Sequence, residues 1–213
     1  MNRLDDLRHQ HGYVLPPHPK ACGTATMSIE GYPAEDDEPM AETGFHGQQI
    51  VTLSYQLRGL FSPEDQVYVG TDSFIYYREN HPGVAPDVYV VFGVDPIPER
   101  RSFYTWAEGV VPAVAFEFLS DKTKTRDRQE KPQLYLQEIG MQEYFIHQPQ
   151  GSRPPEFRGF RRTAEGEIIE IEPDDRGALF SEALNLWFLP EDQPNKVRLL
   201  RPHYPDGTPL PTY

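Results

Sequence analysis

Two unbroken apolar runs constrain this chain more than any other feature. Val88-Tyr89-Val90-Val91-Phe92 and the stretch from Val111 to Leu119 are rich in β-branched and aromatic residues, with no regular polar alternation. A strand with one wet face alternates apolar and polar residues. One without alternation is buried on both faces, at the centre of a sheet. The second run holds an exception, Glu117, inside Val114-Ala115-Phe116-Glu117-Phe118-Leu119. A carboxylate in a buried strand is costly unless it is paired or binds a cation. Glu117 therefore either belongs to a site or lies at a strand end facing solvent or an arginine; the pattern leaves both open.

Shorter signals surround these runs. Ile50, Leu53, Leu57, Leu60 and Phe61 recur at three- and four-residue steps, which predicts a helix with Thr43 as N-cap and Ser62-Pro63 as its end. Val67-Tyr68-Val69 and Phe74 to Tyr77 read as strands, and a polar turn spans Glu79 to Gly83. Arg100 to Trp106 reads as an exposed basic and aromatic excursion. From Asp127 to Ile139 the pattern is helical, with an Asp127/Glu130 capping-box spacing and Gly140 as C-terminal cap; Pro132 is awkward there, because a proline past the first turn removes a helix hydrogen bond. Tyr144-Phe145-Ile146 is a further strand, and 157–160, 167–171 and 186–189 read as short antiparallel strands. Strands mixed with helices in this order predict an α/β or α+β sandwich. The expected division is an N-terminal arm over 1–41, a domain over 42–190 and a C-terminal arm over 191–213, the arms being proline-rich and without apolar period.

The length, 213 residues, suits one domain with additional arms, and 22 prolines exclude an all-helical bundle. A single cysteine, Cys22, excludes an intrachain disulfide framework and a cysteine-based zinc site. His9, His11 and His18 in the first arm read as solvated. No apolar run approaches the ~20 residues that span a bilayer, and the first residues lack a signal-peptide pattern, so a soluble cytoplasmic protein is expected. A net charge of −13 argues against nucleic-acid binding by bulk electrostatics but allows a local basic patch around a metal.

Candidate chemistry centres on two carboxylates. Asp87 opens one buried strand just after Pro86, and Glu117 lies in the other. Acidic oxygens from adjacent strands suit a hard cation such as Mg²⁺, which keeps several waters and needs few protein ligands. Lys122, Lys124, Arg126, Arg128 and Lys131 follow Glu117 closely; a lysine there can orient water or offset developing charge, and the bland reading is a solvated loop and helix face. No glycine-rich phosphate loop and no nucleophile elbow is present. His147 reads as a packed or surface histidine.

These residues carry a resemblance. Pro86 to Val91, Val114 to Ser120 with Glu117, then Asp127, Lys131, Tyr135, Gly140 and Glu143-Tyr144-Phe145 resemble the Uma2 family of restriction-endonuclease-like proteins, within the PD-(D/E)xK nuclease fold. Glu42-Thr43-Gly44-Phe45-His46, Tyr76-Tyr77 and Arg101-Ser102-Phe103 with Trp106 resemble its cyanobacterial members, and the likeness covers roughly 40–190. It implies a restriction-endonuclease-like core, a mixed sheet flanked by helices, acting as an endonuclease on DNA with Mg²⁺ or Mn²⁺. Asp87 and Glu117 take the positions of the metal-binding aspartate and glutamate. The usual lysine position, two after the glutamate, is Leu119, and the resemblance moves that role to Lys131. Asp127 and Tyr135 fall on the same helical face, and His46 or Glu42 is implied as an accessory group from the first helix of the domain. A homodimer is compatible with this reading. A non-catalytic binding or assembly module of the same fold is the alternative, favoured by Leu119 and the net charge.

Overall fold

A computed structural model describes residues 3–34, 44–119, 128–149, 156–194 and 197–212. Helices α1 (Arg3–Gln10) and α2 (Gly44–Leu60) precede β1 (Val67–Thr71), β2 (Phe74–Tyr76), β3 (Val88–Phe92) and β4 (Ser102–Tyr104). A one-turn helix α3 (Thr105–Glu108) leads to β5 (Val114–Phe118). Helix α4 (Lys131–Gln133) runs directly into a π-helical turn (Leu134–Ile139), followed by β6 (Glu143–His147), β7 (Phe157–Arg162) and β8 (Ile168–Glu170). The last strands are β9 (Leu179–Ser181), β10 (Leu186–Asp192) and β11 (Arg198–His203).

The main sheet has six strands in the order β1-β3-β5-β6-β7-β8. Only the β5–β6 pair is parallel. A parallel pair requires a crossover, and the segment containing α4 and the π turn provides it. Every residue of β3 and β5 is buried, as their unbroken apolar composition predicts. Alternation sorts their side chains to the two faces. Val88, Val90, Val114, Phe116 and Phe118 join Leu53 and Leu57 of α2 and Phe188 and Leu200 of the β9–β10–β11 sheet in one core. Tyr89, Val91 and Ala115 join Tyr135, Leu136 and Ile139 in the other. The protein is thus a mixed α+β fold, mostly antiparallel in its sheet and flanked by few helices.

Several sequence expectations need correction. The described part of 1–41 is not a solvated tail. Arg8 is buried, donates from Nε to the Leu60 carbonyl at 2.7 Å and pairs with Asp65, while Tyr13 enters the core. His11 stacks on Tyr204 and His18 on Phe92. The C-terminal stretch is not peripheral either: β10 and β11 are paired strands, and Leu200, Tyr204 and Leu210 lie in the core. Arg100 to Trp106 is not an exposed excursion. Arg100 is buried because Glu108 neutralises it through two hydrogen bonds of 2.5 and 2.9 Å, and its guanidinium lies over the Tyr68 ring. Phe103 and Tyr104 are then free to pack inside β4, which pairs parallel with β2. The helix predicted from Asp127 is α-helical over Lys131–Gln133 with Pro132 in its first turn, where no hydrogen bond is lost. Thr43 and Asp127 lie outside the described residues. Among those described, no helix is long and apolar enough to cross a membrane.

Candidate active site

The site forms where β3 begins and β5 ends. Val88 pairs with Phe116 in the antiparallel register, so the next rung sets Asp87 opposite Glu117. Asp87 meets His46 of α2, and Glu117 meets Tyr135 of the π turn. Asp87 and Glu117 are 7% and 5% exposed, so each carboxylate requires partners. Asp87 Oδ2 accepts the Phe118 N–H at 2.5 Å and lies 3.1 Å from His46 Nε2. Glu117 Oε1 accepts the Tyr135 hydroxyl at 2.7 Å and lies 2.6 Å from Lys131 Nζ.

Each partner comes from a different element. His46 stands in the first turn of α2, with its ring edge-on to Phe118 at 6.3 Å. Burial pulls the His46 pKa down, but the hydrogen bond and charge of Asp87, with the charges of Asp72 and Glu117, outweigh it and hold the pKa above the usual histidine value. Lys131 comes from α4 and Tyr135 from the π turn, four residues apart, so both reach the same carboxylate oxygen. Leu119, two residues after Glu117, is buried in the same apolar cluster as Tyr135, and the ammonium on Glu117 comes from Lys131 of α4.

The structure brings His46 to Asp87 and brings Lys131 and Tyr135 to Glu117, on neighbouring strand ends. Glu42 and Asp127, the other accessory candidates, lie outside the described residues. Arg128 pairs with Glu156. His147 is buried, with its Nε2 on the Arg198 carbonyl at 2.8 Å and its pKa pushed down to about 4 by burial; it is a packed histidine. One residue near the site was not anticipated. Asp72 follows β1 in the left-handed region at φ 43°, and its N–H donates to the Asp87 carbonyl at 3.3 Å. Aspartate is among the few residues that tolerate this conformation, and that tolerance was the only signal available in the sequence.

The donors suit a hard divalent cation. Two buried carboxylates face each other across adjacent strands, and a cation, the Lys131 ammonium, already lies on one of them. Among the described residues no group of three or more His, Cys, Asp or Glu is arranged to hold a metal. Asp87 and Glu117 are the carboxylates here that could hold a hard cation, a class of ion that needs only one or two such ligands.

No curated protein matches the chain. A crystal structure from Anabaena variabilis, described as "a putative nuclease belonging to DUF820", is 18% identical with a TM-score of 0.41, over 82% of this chain and 87% of that one. The Uma2 family, described as "Putative restriction endonuclease", matches residues 35–192, which include His46, Asp72, Asp87, Glu117, Lys131 and Tyr135; the chain belongs to the Uma2 family.

Proposed function

We propose that this protein is a divalent-metal-dependent endonuclease that hydrolyses phosphodiester bonds in DNA. The observation that carries the reading is the convergence of Asp87, Glu117 and Lys131 at one end of the central strand pair. Asp87 and Glu117 would hold Mg²⁺ or Mn²⁺. Such an ion, when bound, polarises a phosphoryl oxygen and lowers the pKa of an attacking water. Lys131 offsets charge developing on the phosphate and orients the water through its ammonium. The Phe118 N–H and His46 fix Asp87 from two directions, so its carboxylate does not turn away as substrate enters. The family description supports a nuclease; the buried acids and the lysine support metal-assisted hydrolysis.

The test combines binding with cleavage. Mn²⁺ should raise the melting temperature of the parent, and Asp87→Asn or Glu117→Gln should abolish that rise. Lys131→Met should keep most of the rise and lose about 10²- to 10⁴-fold in plasmid cleavage. Parent-level cleavage by Lys131→Met removes the role given to this lysine. A non-catalytic module is the second reading, favoured by Leu119 at the usual lysine position and by the −13 charge. It predicts no Mg²⁺- or Mn²⁺-dependent cleavage by the parent.

A further inference from the structure

A glutamate has three rotatable side-chain bonds, and a lysine partner is as mobile as the glutamate itself. The Lys131 contact alone leaves the orientation of Glu117 loose. Tyr135 is different. It is completely buried, and its ring meets Tyr144 edge-on at 5.1 Å and 78°. Its carbonyl accepts the N–H groups of Gly140 and Met141, the latter at 2.9 Å, so its backbone is held at the end of the π turn. Gly140 makes this closure at φ 88°, in the left-handed region. Ring and backbone are both fixed, so the hydroxyl has a fixed position, 2.7 Å from Glu117 Oε1. Among the described residues, Glu117 Oε1 thus has the rigidly mounted Tyr135 hydroxyl beside the Lys131 ammonium. π turns occur mostly as single insertions in helices and recur at functional sites. Here the turn carries the rigid donor.

We propose that Tyr135 is the positioning residue that sets Glu117 for a hard divalent cation, with the π turn as its mount. The inference rests on the metal reading above and deepens it: Tyr135 would touch neither metal nor substrate and would act through Glu117.

The experiment titrates Mn²⁺ against melting temperature for the full-length parent and Tyr135→Phe. Tyr135→Phe keeps the ring against Tyr144 and removes only the hydroxyl. Loss of a residue that orients a metal ligand weakens affinity about 10- to 100-fold, so its Mn²⁺ midpoint should rise by that factor while the metal-free protein still melts cooperatively. A Tyr135→Phe midpoint equal to the parent's overturns the inference and leaves the metal reading intact. A metal-free Tyr135→Phe protein without a cooperative melt assigns the hydroxyl to holding the fold, which also overturns it. No Mn²⁺ response in the parent removes the metal reading and this inference with it.

Discussion

At the residue scale, burial decides what each ionisable group does. Glu117 and His147 lie on neighbouring strands, one rung apart, since Phe118 pairs with His147 and Glu117 with Ile146. Glu117 has Lys131 and Tyr135 as donors. His147 is buried among backbone partners, with its Nε2 on the Arg198 carbonyl at 2.8 Å. An added proton there would be a buried charge without a counterion, which is why the pKa falls to about 4. The sign of the linkage follows. Below the ordinary histidine pKa near 6.5 the unfolded chain takes up a proton that the folded chain refuses, so stability falls as the pH drops from about 6.5 towards 4. The full effect is roughly 3 kcal/mol at 1.36 kcal/mol per pKa unit. Urea melts of the parent and of His147→Gln at pH 7 and pH 4.5 should show the variant losing less stability between the two; equal losses would mean that His147 is not the group responsible. Most of the site was legible at this scale because a lone acid in an apolar run stands out on composition alone. Asp72 was not, because its relevance depends on where β1 ends beside Asp87, which no local pattern encodes.

At the scale of elements, the central strands were legible and the terminal segments were not. β3 and β5 announce themselves because complete burial removes every reason for polar residues. Gly70 in β1 has a similar logic: a Cβ there would lie 2.2 Å from Tyr89 Cζ, so the strand admits no larger residue while that ring is in place. α1 gave no such signal, because polar atoms anchor it. Its fixed point is Arg8, whose guanidinium pairs with Asp65, donates to the Leu60 carbonyl at the end of α2, and lies 5.6 and 5.9 Å from the Tyr13 and Phe61 ring centroids. The pair holds Asp65 as a carboxylate: burial pushes its pKa up, but the Arg8 contact and the Ser62 N–H more than reverse that. Arg8→Ala strips the counterion from a partly buried acid and opens a gap under α1. Breaking a buried ion pair in this way costs roughly 3–5 kcal/mol, and the exposure of Asp65 places the loss at the lower end. Chemical denaturation measures it directly; a loss below about 1 kcal/mol, the range of a surface ion pair, would show that α1 is not fastened through this residue.

At the scale of the whole molecule, the core extends beyond the residues that match the family. The match ends at 192, whereas β11 begins at Arg198 and α1 ends at Gln10. One core nevertheless draws on both sides of that boundary: Tyr13 from before the match, and Leu200, Tyr204 and Leu210 from after it, pack with Leu53, Leu57, Val88 and Phe116. Polar groups close the seam. Gln49 of α2 is fully buried, donating to the Leu200 carbonyl at 3.2 Å and accepting the Leu200 N–H at 2.6 Å, and Gln56, about two turns further on the same helix face, donates to the Leu210 carbonyl at 3.0 Å. Gln49 stands in for a strand neighbour of β11, and a glutamine in a helical pattern looks solvent-facing in the sequence, which is why the C-terminal stretch reads as an arm. Removing 193–213 would expose Leu53, Leu57 and Phe188 and leave buried amides of α2 without partners, each at about 1–3 kcal/mol. A domain of this size is stable by only about 5–15 kcal/mol, so the sum is enough to unfold it. The fragment 35–192 should therefore show no cooperative thermal transition by circular dichroism. Full-length Gln49→Leu, which keeps the volume and deletes both bonds to Leu200, should fold but lose roughly 2–4 kcal/mol, the desolvation of one N–H and one carbonyl. If the fragment melts cooperatively near the parent temperature, the terminal strands are ornament and α2 needs no partner beyond the main sheet. If it does not, the first turn of α2, and His46 with it, depends for its place beside Asp87 on a strand more than 150 residues further along the chain.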